Sequence, residues 1–204
     1  MSISKKLLIL LIIMLGLNVF ITKAQSSSAI DTVCAGTTGK TYYVGAKAGS
    51  VYNWTVDGGI QASGGSSDSI SVDFDATTGS DTIWVQETDS NGCLADPVFV
   101  VVVRMPLPTA SISGTTSVCY NDSAQVTVNL TGTFPLELTY SDGSGNIVER
   151  NISSSPFQFY TGILPSTTTY SLVNVTDVLS CSSTPSGSAT VTVNPKPVTG
   201  AIFH

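Results

Sequence analysis

The chain has 204 residues, with 14 acidic against 8 basic side chains, a net charge of −6 at pH 7 and one histidine, His204. That balance argues against nucleic acid or an anionic membrane surface as partner, since either requires a basic face. Four cysteines with 18 Gly and 9 Pro point instead to a turn-rich chain suited to an oxidising compartment.

The first 24 residues read as a secretory signal peptide. Lys5 and Lys6 form a charged start, Leu7 to Ile21 is apolar apart from Gly16 and Asn18, and Thr22-Lys23-Ala24 supplies a small-residue cleavage site before Gln25. The apolar run, about 15 residues, falls short of the roughly 20 that span a bilayer, so the expected product is exported and not an integral membrane protein. Lys5, Lys6 and Lys23 leave with the segment, so five basic residues then face fourteen scattered acidic ones.

The rest reads as a duplicated all-β unit. Val33-Cys34 opens the first copy and Val118-Cys119 the second. Thr88-Asp89 precedes Cys93 by the same interval at which Thr176-Asp177 precedes Cys181. A valine-rich strand, Val98 to Arg104, runs into Pro106-Leu107-Pro108, and a shorter one, Ala189 to Val193, runs into Pro195-Lys196-Pro197. Proline removes a ladder donor and fixes φ, so each sheet should stop there and a stiff connector begin. The expected organisation is a first sandwich over 29–105, a second over 109–195, and a tail over 196–204.

Between these landmarks the signals are strands and turns. Tyr52, Trp54 and Val56 alternate with polar neighbours up to Asp57-Gly58-Gly59. Ile70, Val72 and Phe74 form the next face, then Thr82 to Val85. In the second copy the series is Thr109 to Ser113, Val126 to Leu130, Leu136 to Tyr140, Phe157 with Phe159, and Tyr170 to Val175. Trp54, Trp84 and Tyr170 are expected in the cores. Short strands with Gly, Asn and Asp turns indicate two tandem antiparallel sandwiches.

Cys34, Cys93, Cys119 and Cys181 allow three pairings. The duplication favours Cys34–Cys93 and Cys119–Cys181, one bridge per unit, each closing a loop of about 60 residues and worth roughly 4 kcal/mol in the chain-entropy model. A metal site is disfavoured, because no close Cys-x-x-Cys spacing exists and the lone histidine is terminal.

Tyr52-x-Trp54-x-Val56-Asp57-Gly58-Gly59 resembles the aromatic strand and turn of PKD-like domains, and Leu164 to Leu172 resembles the tyrosine corner of fibronectin type III sandwiches. With the Val-Cys opener, the Thr-Asp-x-x-x-Cys run and the Asn-Pro-x-Pro connector, the chain resembles the tandem PKD-like and immunoglobulin-like repeats of Bacteroidota surface proteins. That resemblance implies a structural or adhesive role of the kind found in gliding-motility adhesins and type IX secretion cargo. It also implies O-glycosylation at Asp-(Ser/Thr)-apolar runs, here Thr32, Ser69, Thr82 and Ser123.

Catalysis is not expected. A Ser–His–Asp or Cys–His arrangement needs a histidine on a scaffold, and His204 is the last residue. Asp73 and Asp75 share one strand face and read as solvated; no cofactor loop or calcium loop is present. The reading is a non-catalytic envelope or cell-surface module acting as adhesin, spacer or binder of another surface protein. The alternative is a carbohydrate-binding module, for which a coplanar exposed pair among Tyr42, Tyr43, Tyr120 and Tyr160 would be needed. Val198 to His204 resembles the opening strand of a further unit. Two readings stand, a frayed end or a strand that docks by strand addition with Ile202 and Phe203 as anchors.

Overall fold

The computed structural model describes residues 30–204, and every regular element in them is a strand. In the first half, β1 (Ile30–Cys34) lies parallel to β7 (Val98–Met105), which pairs with β6 (Gly79–Thr88), and β6 pairs with β3 (Val51–Asp57). The facing sheet is β2 (Lys40–Tyr43), β5 (Ser69–Phe74) and β4 (Gly59–Ser63), in the order β2-β5-β4. Alternation does what period 2 demands. Ile70, Val72 and Phe74 of β5 point inward and meet Val33, Ile83 and Val102 from the other sheet. The β-branched run of β7 can fill a pleated interior without loss of rotamer freedom, which is why its longest valine stretch lies mid-sheet.

The turn at Asp57-Gly58-Gly59 carries the chain from one sheet to the other. Gly58 has φ +88, and a β-carbon there would lie 1.9 Å from Oδ1 of Asp81, so no other residue fits.

The second half repeats the frame. Its strands are β8 (Thr109–Ser113), β9 (Thr116–Cys119), β10 (Gln125–Thr131), β11 (Leu136–Ser141), β12 (Asn146–Ile152), β13 (Phe157–Tyr160), β14 (Thr168–Asp177), β15 (Ser182–Ser183) and β16 (Ser188–Asn194). One sheet runs β12-β11-β14-β16-β9, with β15 on β14, and the other β13-β10-β8. As β1 pairs in parallel with β7, so β9 pairs in parallel with β16. The core joins Val126, Val128 and Leu130 of β10 to Leu136, Leu138, Val175 and Val191. Tyr140 stacks on Phe159 at 4.5 Å between ring centres, and Phe159 meets Tyr170 edge-on at 5.6 Å. Burial, with the charge of Glu149 nearby, pushes the Tyr140 phenol up to about 12.

Several expectations change. Tyr170 is buried as expected, but Trp84 is not a core residue. Its neighbours Ile83 and Val85 take the interior of β6, so Trp84 must face outward, where it is half-buried and lies on Phe99 at 4.4 Å. Trp54 is half-buried, packs against the first core and donates its Nε1–H to the carbonyl of Ser67 at 2.9 Å. Asp75 falls beyond the end of β5, so it does not share a strand face with Asp73. No strand forms over 195–204, because a strand needs a ladder partner and that segment has none among the described residues.

Candidate interaction site at the junction

Each sandwich carries a tight loop ending in its late cysteine, and the two loops match bond for bond. In the first, the N–H of Asp89 donates to the carbonyl of Cys93 at 2.9 Å and the N–H of Cys93 returns to Asp89 Oδ1 at 2.8 Å. In the second, Asp177 N–H donates to Cys181 O at 2.9 Å and Cys181 N–H to Asp177 Oδ1 at 2.9 Å. The same carboxylate oxygen also accepts from Asn91 N–H in one loop and Leu179 N–H in the other. Both loops place a left-handed residue just before the turn closes, Gly92 at φ 82 and Ser180 at φ 66. The aspartate in Thr-Asp-x-x-x-Cys is therefore a loop organiser. The Cys93 N–H, then the Asn91 amide, holds the Asp89 carboxyl below its ordinary value.

The opener cysteines match as well. Cys34 accepts from Thr37 N–H at 3.0 Å and Cys119 from Asp122 N–H at 3.1 Å, with left-handed Gly36 and Asn121 at the same turn position.

The disulfide expectation is overturned. Cys34 is bonded to Cys181, with Cα atoms 5.4 Å apart across 147 positions of sequence, while Cys93 and Cys119 are free and exposed. Strand direction gives the reason. Cys34 lies opposite Met105, and β6 runs away from that end for ten residues before reaching the Cys93 loop. At about 3.3 Å per residue that is roughly 30 Å, far beyond the ~7 Å that a disulfide tolerates. β14, also ten residues long, separates Cys119 from Cys181 in the same way. Each opener faces forward along the chain and each late cysteine faces back. The bridge therefore forms across Pro106-Leu107-Pro108 and staples the two sandwiches together.

Other contacts order each side of the Pro106-Leu107-Pro108 connector within its own sandwich. Pro108 is fully buried and its carbonyl accepts from Ser183 Oγ. Gly132 is required beside it, since at φ +140 a β-carbon would come within 2.9 Å of Pro108 Cβ. On the first sandwich, Arg104, next to the last residue of β7, is 8% exposed and clamps Asp81, which is 3% exposed. Nη2 donates to Oδ1 at 3.0 Å and Nε lies 2.8 Å from Oδ2. Its Nη1 reaches Asp75 and donates to the Thr77 carbonyl at 2.9 Å. Arg104 carried no signal in sequence, because a basic residue ending a strand reads as solvated.

Of the Asp-(Ser/Thr)-apolar positions, Thr32 and Ser123 are exposed whereas Ser69 and Thr82 are half-buried within strands. Tyr43, Tyr120 and Tyr160 are exposed, but the ring contacts seen among the described residues do not pair any of them with another of the four tyrosines. Tyr42 is committed elsewhere, donating its hydroxyl to Asp31 Oδ2 at 3.0 Å. Ile202 and Phe203 are 95% and 90% exposed. Among the described residues no cluster of His, Cys, Asp and Glu could hold a metal ion, and no helix is long and apolar enough to cross a membrane. The signal peptide and its cleavage after Ala24 lie outside the described residues.

No curated protein matches the chain. Among solved structures, the fibronectin(III)-like modules of Clostridium thermocellum CbhA share 15% identity over 88% of this chain and 97% of theirs, with a TM-score of 0.39. An I-band fragment of titin shares 9% identity over 84% of this chain and 63% of its own, with a TM-score of 0.37. A Bacteroides ovatus protein, SGBP-B, solved with a mixed-linkage heptasaccharide, shares 13% identity over 80% of this chain and 43% of its own, with a TM-score of 0.23. Residues 21–99 match the family model of the PKD-like domain.

Proposed function

We propose that this protein is an exported, non-catalytic module of the cell envelope or surface, a stapled pair of sandwiches that spaces or presents a binding surface. The observation that carries the reading is the Cys34–Cys181 bridge. A disulfide between adjacent sandwiches contributes nothing to turnover, but it prevents them from hinging apart and transmits tension along the chain. The PKD-like match over 21–99 supports the same reading. Adhesion linked to gliding motility or type IX secretion is the finer form of the proposal and rests on the repeat pattern in the sequence. Thr32 and Ser123, the exposed pair of the four positions, are its favoured glycan acceptors.

Binding in this reading is to another envelope protein, through strand addition by 198–204. Val198, Ile202 and Phe203 are almost fully exposed, an apolar run that a partner's sheet edge would cover. Immobilised protein incubated with envelope extract should retain a surface component, and deletion of 198–204 should abolish retention while both sandwiches melt as before. Retention unchanged by the deletion would contradict the docking strand. Turnover of a glycan or peptide panel would contradict the non-catalytic reading.

A further inference from the structure

The bridge between the two sandwiches is a joint of unlike halves, an opener cysteine in front and a late cysteine behind. A joint of that kind does not use itself up. The second sandwich still carries a free opener, Cys119, at the end of β9 opposite Asn194, and the first still carries a free late cysteine, Cys93. β6 takes Cys93 away from the junction and β16 does the same for Cys119, so each free thiol lies at the end of its sandwich remote from the bridge.

Both free halves already have the bonded geometry. The Asp89–Cys93 loop repeats the backbone bonds of Asp177–Cys181, including the paired bonds at 2.8–2.9 Å between aspartate and cysteine. The turn after Cys119 repeats the turn after Cys34. What differs is cover: Cys181 is buried whereas Cys93 and Cys119 are exposed. We propose that copies of this chain join head to tail through a disulfide between Cys119 of one copy and Cys93 of the next, formed as Cys34–Cys181 is formed within each copy. Heterologous contacts of this type do not close on a two-fold axis and build open chains or rings.

The step needs an oxidant, which a low-molecular-weight disulfide or an oxidised thiol oxidoreductase supplies. The Cys119 thiolate attacks the reagent's S–S bond and releases one thiol. The Cys93 thiolate of the neighbouring copy then attacks the mixed disulfide and releases the second. One disulfide breaks, one forms, and the two protein protons pass to the two leaving thiolates. The inference rests on the stapled junction and extends the spacer reading, yet a chain that stayed monomeric would remain a two-sandwich spacer.

Isotopically light and heavy full-length exported protein, mixed and exposed to oxidised glutathione, tests it. The expected result is a ladder of multiples on a non-reducing gel, collapsing with reductant, and a Cys119–Cys93 peptide of mixed light and heavy label. C93S alone and C119S alone should stay monomeric, whereas their mixture should give a dimer and nothing longer. Both positions are exposed, so folding is not at stake, and unchanged melting checks this. Monomer carrying glutathione on both cysteines, a Cys119–Cys119 dimer, or a bridge within one copy would overturn the proposal.

Discussion

The two sandwiches share their ends and differ in their middles. Parallel first-to-last pairing, the opener turn and the late-cysteine loop coincide in both, down to which residue adopts a left-handed φ. Between them the halves diverge. After Gly58 the chain crosses to the other sheet and β4 pairs with β5, whereas after β11 the chain stays and β12 pairs with β11. The first core is the smaller of the two among the described residues and leans on the Arg104–Asp81 pair, while the second is a continuous aliphatic and aromatic cluster. The comparison teaches that the repeated element is the joint and that the sandwich between two joints is free to vary.

The sharpest way to break the contrast is to remove what each half alone relies on. Arg104→Leu leaves Asp81 buried without its partner and should cost the first sandwich about 3–5 kcal/mol. Leu138→Ala, at a position with no exposed surface, should cost the second about 2–5 kcal/mol. Denaturant melts followed by Trp fluorescence report the first sandwich selectively, since Trp54 and Trp84 both lie in it. If Arg104→Leu were neutral, the clamp would be incidental.

Alkali should separate the halves more gently. Tyr140 has its folded value raised from 10.0 to about 12, so the stability it contributes is complete below pH 10 and lost as pH rises towards 12. Melts across that window should show the second sandwich weakening; a flat profile would mean that Tyr140 is not shielded. The smallest effect is at the acid end. The Asp89 value is lowered in the folded state, so its contribution is present above its ordinary value of 3.8 and lost as pH falls further. The protection of the Cys93 amide relative to its intrinsic exchange rate should then fall below that pH, with little change in global melting.

The sequence made the fold legible because period-2 alternation in Ile70-Ser71-Val72-Asp73-Phe74 and its counterparts leaves one solution for each strand face. It made the joints legible as a repeat, through Thr-Asp-x-x-x-Cys. It misdirected the pairing, because repetition shows that two cysteines are equivalent and says nothing about which end of a strand each occupies. The core assignment of Trp84 fails for a related reason: an aromatic in an alternating strand belongs to whichever face its neighbours leave, and Ile83 and Val85 hold the interior. β4 and β12 carry no clear sequence signal, because Gly59-Ile60-Gln61 and Asn146-Ile147-Val148 are short and largely exposed patterns that sheet edges tolerate.

The bridge that crosses the junction holds the two sandwiches as one unit. Proteolysis of the protein under non-reducing conditions, with free thiols blocked beforehand, should yield a linked peptide pair containing Cys34 and Cys181 that separates on reduction. Recovery of Cys34 joined to Cys93, or of Cys119 joined to Cys181 within one copy, would contradict it.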